Sequence, residues 1–154
     1  MAVNYNTEFS ELNGLERVRR IEQHRDPYPG SAVYYGYQIS RVEPGCVVLE
    51  FTPDESHLNF FQTVHGGVLA GVLDSAMGFA LVTVLNPGEH NTITDLHTKY
   101  LRPVRSGGEA YRVEGRIQHR GRRQCTMVGE LCDAAGRLCV SATGTGMILE
   151  PGSK

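Results

Sequence analysis

One segment of the chain, residues 64–85, is almost continuously apolar and reads VHGGVLAGVLDSAMGFALVTVL. Its length is close to that of a membrane-spanning helix. Asp74 stands near its middle, three glycines crowd its first third, and no basic residues flank it. A helix that is apolar on every side can equally fill the core of a water-soluble protein. We therefore predict one buried core helix here and no membrane span.

The composition is that of an ordinary soluble globular protein, with 40% hydrophobic and 21% charged residues. A length of 154 residues suits one domain. We predict a single domain over residues 1–154, in which residues 1–30 form an N-terminal helical extension. The net charge of −2 provides no basic footprint for nucleic acid. The N-terminus lacks a basic region followed by an apolar stretch, which predicts a cytoplasmic protein without a signal peptide.

Neither the cysteines nor the histidines suggest a metal site. The four cysteines form no C-x-x-C pair and the six histidines no H-x-x-x-H pair. We expect reduced thiols that pack as small hydrophobic side chains. His57 is interpreted as a surface loop histidine, because nothing at helical or turn spacing partners it.

Hydrophobic periodicity predicts an α+β architecture. A thin apolar stripe indicates a helix over residues 10–25, with Ser10 as its N-cap. A polar, irregular stretch (53–63) precedes the apolar helix, and Asn86-Pro87-Gly88 ends it. An antiparallel sheet of five or six strands has one face to bury, so we expect it to wrap around this one long helix. The predicted strands are residues 32–41, 46–51, 91–101, 109–119, 124–132 and 137–149.

His65, Gly66 and Gly67 open the apolar helix. Glycine lets the backbone turn sharply and lets a ligand approach closely. The free N–H groups of a first helical turn, together with the positive end of the helix dipole, form an anion site. Such a site could hold a phosphate or stabilise the oxyanion that develops on a carbonyl. The absence of a P-loop pattern makes phosphate the weaker interpretation.

Asp74 is the second unusual residue, because a carboxylate inside an apolar helix is costly unless it has a use. Burial would raise its pKa, as suits a general base near neutral pH, although a hydrogen-bonded Asp at a subunit contact or cap is the alternative. It follows Gly67 by seven residues, which places both on one helix face roughly 10 Å apart. One carbonyl cannot contact both within one chain. If both act on one substrate, a two-fold partner with an antiparallel helix must supply one of them, so the protein is at least a dimer.

The segment HGGVLAGVLDSAMGFA resembles the signature H-G-G-x6-D-x-A of the phenylacetic-acid-degradation (PaaI-like) type of hotdog-fold acyl-CoA thioesterases. Asn59, six residues before His65, matches the Asn that precedes this motif. Residues 94–104, which contain Leu-Arg-Pro, resemble the family strand that ends in this tripeptide, and residues 136–146 resemble its last strand. The resemblance covers residues 31–149.

The resemblance implies a hotdog fold, homodimers often paired into homotetramers, and hydrolysis of an acyl-CoA to a free acid and CoA without a metal or redox cofactor. Asp74 would be the general base or nucleophile. The Gly67 amide of the partner subunit would be the oxyanion donor, with Gly66 beside it. His65 and Asn59 would position the thioester or the water.

Two further groups of residues are candidates for substrate binding. The resemblance implies a hydroxyl near the site, which Thr92 or Thr94 would supply. Arginine pairs with phosphate through two parallel hydrogen bonds, so arginines at two places could hold the phosphates of CoA. Arg122 and Arg123 lie at a predicted hairpin tip, where a merely solvated tip is the alternative, and Arg102 and Arg105 follow the third long strand.

Two other functions stay open from the sequence. A hotdog hydratase or dehydratase acting on an acyl thioester needs a His–Asp acid–base pair, which His65 and Asp74 could form only across an interface. A non-catalytic acyl-CoA binding module would be marked by loss of the carboxylate, and Asp74 is present. The chain has no G-x-S-x-G motif, which disfavours a serine hydrolase.

Overall fold

The computed structural model describes residues 9–23 and 30–150. In this part of the chain six strands form one antiparallel sheet in the order β1-β2-β4-β5-β6-β3, so β1 and β3 are its edges. One long helix, α3, packs against the sheet, which confirms the predicted α+β architecture. The elements are α1 (Gly14–Gln23), α2 (Ser31–Tyr35), β1 (Tyr37–Glu43), β2 (Cys46–Phe51), a 3-10 helix (Glu55–His57), α3 (Gly66–Val82), β3 (His90–Tyr100), β4 (Tyr111–Arg120), β5 (Gln124–Cys132) and β6 (Leu138–Leu149).

Helix α3 lies with one face on the sheet. Its buried residues recur at spacings of three and four, the period of an apolar helix face. The backbones of α3 and β4 approach closely, because a Cβ on Gly115 would lie 2.2 Å from the Ala76 carbonyl. The absence of a side chain at Gly115 therefore sets how deeply the helix sits. The buried face consists of Val68, Leu69, Val72, Leu73, Ala76, Met77, Ala80 and Leu81.

The other face of α3 is not buried, contrary to the expectation of a helix enclosed on every side. Gly67 and Asp74 are exposed there, and Gly71 and Gly78 are half-buried. The reason is that the sheet of one protomer covers only one side of the helix. None of the helices in the described ranges is long and apolar enough to cross a membrane.

Helix α1 docks on the C-terminal end of α3. A Cβ on Gly14 would lie only 1.6 Å from the Val82 carbonyl oxygen, so no side chain fits at this crossing. The Arg17 guanidinium is buried beside it, and burial lowers the pKa of Arg17. It donates to three backbone carbonyls at this crossing, one of which, that of Asn86, also accepts the Glu89 N–H at 3.1 Å. These acceptors are the carbonyls of Leu12, Asn86 and Glu89.

Helix α1 begins later than predicted. The prediction placed its N-cap at Ser10, but the Asn13 side chain accepts the Glu16 N–H at 3.0 Å. Asn13 therefore caps the helix, which starts at Gly14. The predicted residues 24 and 25 lie outside the described ranges.

The strand predicted over residues 32–41 begins only at Tyr37. The residues before it form the short helix α2, which ends at Gly36 in a left-handed conformation (φ 66°). The Tyr35 hydroxyl packs against α3 where Gly71 lacks a side chain. This tertiary contact overrides the strand preference of the local Val and Tyr residues.

Candidate active site

Helix α3 starts in an exposed turn formed by His65, Gly66 and Gly67. His65 is the N-cap, and its Nδ1 accepts the Gly67 N–H at 2.9 Å. The Gly66 N–H, by contrast, has no hydrogen-bond acceptor in the described part of the chain. The free donor at this turn is thus the Gly66 N–H. The sequence predicted the Gly67 N–H for this role, but that group already donates to the His65 side chain.

Tyr100, the last residue of edge strand β3, holds this turn. Its hydroxyl donates to the Gly66 carbonyl at 2.9 Å. Its ring lies so close that a Cβ on Gly66 would be 3.2 Å from Cζ and Oη. Sequence reasoning missed this residue, since a tyrosine at a strand end carries no chemical signature. The one signal was its position directly before Leu101-Arg102-Pro103.

Two clefts border the turn. The larger, of about 900 Å³, is lined by His65 and by the loop before it. The second, of about 380 Å³, is lined by Gly66, Tyr100 and Arg102 among others. A ligand in either cleft is therefore beside the N-terminus of α3, where the positive end of the helix dipole favours negative charge.

Asn59 organises the loop that leads into α3. Its Oδ1 accepts the N–H groups of Phe61 at 2.8 Å and Thr63 at 3.3 Å, and its Nδ2 donates to the Thr63 hydroxyl at 3.0 Å. The loop presents Phe60 and Phe61 almost fully to solvent. The amide predicted to position the thioester or water is thus engaged with its own loop in this structure.

Asp74 lies on the outward face of α3. It is exposed in a single protomer, not buried as expected, because no sheet covers this face. It borders a shallow cleft of about 430 Å³ together with Tyr37, Phe79 and Ile93. These neighbours remove part of its hydration, and this desolvation raises the pKa of Asp74. In the described residues no group donates a hydrogen bond to its carboxylate or forms an ion pair with it.

The free donor and the free carboxylate are far apart along α3. Eight residues separate Gly66 from Asp74, which corresponds to about 12 Å of helix. Asp74 lies on the side of α3 that the sheet leaves uncovered, whereas Gly66 is half-buried at the N-terminal end of the helix, next to Tyr100. One protomer therefore cannot bring both groups to the same carbonyl carbon.

The two candidate threonines differ in their surroundings. Thr92 borders the cleft of Asp74. Its pairing with Met147 nevertheless places its side chain on the sheet face opposite to that of Ile93, which reaches α3. Thr94 lies at a β-bulge, and its hydroxyl donates to the Thr145 carbonyl at 3.1 Å. Thr92 thus borders the same cleft as Asp74, but its side chain points away from α3, and Thr94 is not among the residues that line this cleft.

The candidate arginines fall at two ends of α3. Arg102 borders the Gly66 cleft, and its guanidinium donates to the Leu138 carbonyl. Arg105 borders a neighbouring cleft with Asp133. Arg122 and Arg123 form the tip of the β4–β5 hairpin, whose Arg120 reaches the Val84 carbonyl beyond the C-terminal end of α3. That end is about 24 Å from Gly66, so a single protomer brings only Arg102 to the turn.

His57 is buried, and its interpretation as a surface histidine is wrong. It is 2% exposed. Its Nδ1 accepts the Asp54 N–H at 2.9 Å, and its Nε2 donates to the Tyr34 carbonyl at 2.7 Å. The second partner is 23 residues away in sequence, so local spacing could not reveal it.

The thiols carry no sign of catalytic activation. All four cysteines are free, and burial raises the pKa of each. Across residues 9–23 and 30–150, no group of three or more His, Cys, Asp or Glu side chains is arranged to hold a metal ion.

Comparison with known proteins decides the family. The model of the Thioesterase superfamily matches residues 61–140, more than half of the chain and the whole of α3. The chain belongs to the thioesterase superfamily. It is accordingly a thioester hydrolase.

Solved structures show that this thioesterase has the predicted hotdog fold. A phenylacetic acid degradation-related protein of Ralstonia eutropha, described as a thioesterase, is 29% identical with a TM-score of 0.76, covering 84% of this chain and 97% of its own. The E. coli PaaI protein shares the fold at 18% identity and a TM-score of 0.77, covering 92% and 96%. A Streptococcus pneumoniae protein described as a thioesterase, solved with coenzyme A, is 25% identical with a TM-score of 0.69, covering 76% and 91%.

Proposed function

We propose that this thioesterase hydrolyses acyl-CoA thioesters at a site shared by two protomers. The Gly66 N–H of one protomer binds the thioester carbonyl oxygen. Asp74 of its partner promotes attack on the carbonyl carbon, as general base for water or as the nucleophile itself. The observation that carries this proposal is a pair of groups without a hydrogen-bond partner among the described residues, the Gly66 N–H at the start of α3 and the Asp74 carboxylate on its uncovered side, about 12 Å apart along one helix. The coenzyme A bound to the Streptococcus pneumoniae protein supports the acyl-CoA class of substrate.

The chemistry needs few groups. Asp74 accepts a proton from water while the water oxygen bonds to the carbonyl carbon, and the carbonyl electron pair moves to oxygen. The Gly66 N–H and the helix dipole stabilise this oxyanion. The adduct then collapses, the C–S bond breaks, and the thiolate of CoA leaves and takes up a proton. Direct attack by the carboxylate, followed by hydrolysis of the anhydride, is the alternative role of Asp74.

The edge strand β3 supports the shared site. It is 11 residues long and, within residues 9–23 and 30–150, pairs only with β6, so its other edge carries backbone groups without a strand partner there. Antiparallel pairing of β3 with β3 of a second copy would generate a two-fold axis and bring the uncovered faces of the two α3 helices together in opposite directions. A homodimer is therefore part of the proposal, and pairing of dimers into homotetramers stays a prediction from the resemblance. The proposed reaction uses no metal or redox cofactor.

Arg102 is the arginine that this site places best for CoA. It borders the same cleft as Gly66, which supports a contact with a phosphate of the bound nucleotide. Arg122 and Arg123 lie at the other end of α3 and would reach a CoA molecule only in a site completed by the partner.

Release of free thiol from a panel of acyl-CoAs tests the proposal. Asp74→Asn keeps the shape of the side chain and removes the base, so kcat should fall by about 10²- to 10⁴-fold with little change in KM. Glu130→Gln, an exposed carboxylate on β5, is the matched control and should behave as wild type. Wild-type kcat should rise with pH through a pKa above the ordinary value for Asp, because desolvation raises the pKa of Asp74. An Asn variant as fast as wild type on every substrate would refute the assignment.

A further inference from the structure

Two hydrogen bonds link Tyr100 to His65 through one peptide group. The Tyr100 hydroxyl donates to the Gly66 carbonyl at 2.9 Å. The N–H of that same peptide group belongs to Gly67, and it donates to His65 Nδ1 at 2.9 Å. The hydroxyl and the imidazole therefore act on opposite ends of the peptide that joins the two glycines.

The second of these bonds defines the tautomer of His65. A backbone N–H can only donate, so Nδ1 is the acceptor and carries no hydrogen. The neutral imidazole then carries its hydrogen on Nε2. His65 lines the larger cleft and Gly66 the smaller one, and both clefts border Asn59, so the turn offers one donor to each of two neighbouring clefts.

The first bond reinforces the second. A hydrogen bond accepted by a peptide carbonyl polarises the peptide and strengthens donation from its N–H. Tyr100 thereby favours the arrangement in which Gly67 donates to Nδ1. Its ring also packs on Gly66, at 3.2 Å from the position of a Cβ there, so it limits rotation of the same peptide.

We propose that Tyr100 is a positioning residue for thioester hydrolysis. Its hydroxyl, acting through the Gly66–Gly67 peptide, holds His65 in the tautomer that carries hydrogen on Nε2. The turn then presents Gly66 N–H and His65 Nε2–H as two fixed donors for the thioester. The claim that Tyr100 supports hydrolysis rests on the proposed function. The claim that Tyr100 holds the His65 tautomer is independent of it.

Tyr100→Phe separates the hydroxyl from the ring, because it removes one oxygen and keeps the packing on Gly66. The tautomer is read from ¹⁵N NMR of protein labelled in histidine, near pH 8.5, where an ordinary histidine is neutral. The His65 signals are assigned with His65→Gln. Tyr34→Phe, an exposed tyrosine outside the turn, is the control. Melting temperatures verify that each variant folds.

In wild type and in Tyr34→Phe we expect an unprotonated Nδ1 and a protonated Nε2 at His65. In Tyr100→Phe the signals should move toward a mixture of tautomers, and kcat should fall roughly three- to tenfold, as expected for losing one neutral hydrogen bond, with KM changed less than about twofold. An unchanged tautomer overturns the proposal, whether or not kcat falls. A changed tautomer with unchanged kcat overturns the catalytic role. If wild type hydrolyses no acyl-CoA, the proposed function fails while the NMR result still decides the tautomer.

Discussion

Gly66→Pro removes a single polar group, the N–H that we propose to bind the oxyanion. The local backbone conformation is compatible with proline. Gly66 is the first residue of α3, where the fixed φ of proline fits and no helical hydrogen bond is lost. His65 before it is already extended (φ −61°, ψ 135°), the conformation that a following proline requires. The new Cβ approaches Tyr100 to 3.2 Å, which Gly66→Ala does equally. Alanine is thus the matched control, because it adds the same Cβ and keeps the N–H.

The expected magnitude follows from the loss of one oxyanion donor, which costs about 10²- to 10³-fold in kcat, or roughly 3–4 kcal/mol of transition-state stabilisation. Gly66→Ala should stay within a few-fold of wild type. The assay is steady-state thiol release from one acyl-CoA, with thermal melting to verify folding. The decisive quantity is the ratio of kcat between Gly66→Ala and Gly66→Pro, because these variants differ in the N–H while both carry the new Cβ. If both variants fold and have equal kcat, the Gly66 N–H does not bind the oxyanion and the reasoning fails.

Three further predictions concern stability and pH. Gly14→Ala should lower the free energy of unfolding in urea by about 3 kcal/mol, because its Cβ would lie 1.6 Å from the Val82 carbonyl oxygen; a loss below about 1 kcal/mol would contradict this packing. His57→Leu should cost about 2–4 kcal/mol in the same measurement, because it removes the fully buried imidazole that accepts the Asp54 N–H and donates to the Tyr34 carbonyl; wild-type stability would show that water replaces it. Desolvation raises the pKa of Asp74, so ionisation costs stability as pH rises through that pKa; Asp74→Asn should therefore melt no lower than wild type at about pH 8, and the difference should vanish below about pH 3.5, where both side chains are neutral. A lower melting temperature at the higher pH would contradict the sign.

The elements that depend on local pattern were predictable. Strands β2 and β5 begin and end where alternation and turn residues placed them, at Cys46–Phe51 and Gln124–Cys132. The long helix was predictable because a continuous apolar run between two turn signals has few alternatives. The H-G-G-x6-D-x-A spacing was specific enough to indicate a thioesterase, and the superfamily match over residues 61–140 confirms that.

The errors arose where the deciding partner is distant in sequence. Helix α2 replaces a predicted strand because Tyr35 packs on Gly71, and His57 is buried because it donates to the Tyr34 carbonyl. The exposure of Asp74 depends on which side of α3 the sheet covers, and an apolar helix without a polar face does not reveal that side.

The sequence contains enough information to predict that the Gly66 N–H, and not the Gly67 N–H, lacks a hydrogen-bond acceptor. An N-cap side chain accepts from the second or third residue of the helix, which for His65 includes Gly67. Applying that rule would have left the Gly66 N–H as the free one. Histidine is a less usual cap than Ser, Thr, Asp or Asn, so its residue type alone does not indicate this role.

The shared site is tested most directly by mixing two inactive variants, Asp74→Asn and Gly66→Pro. Each variant alone has a defect in every site. After subunit exchange in equal amounts, about half of the dimers are hybrids, and each hybrid has one site with both groups intact, so activity should reach about one quarter of the wild-type value. If Gly66 and Asp74 instead served a site within one protomer, hybrids would contain no intact site. Activity that stays at the level of the separate variants, with exchange verified by mass, would contradict the account.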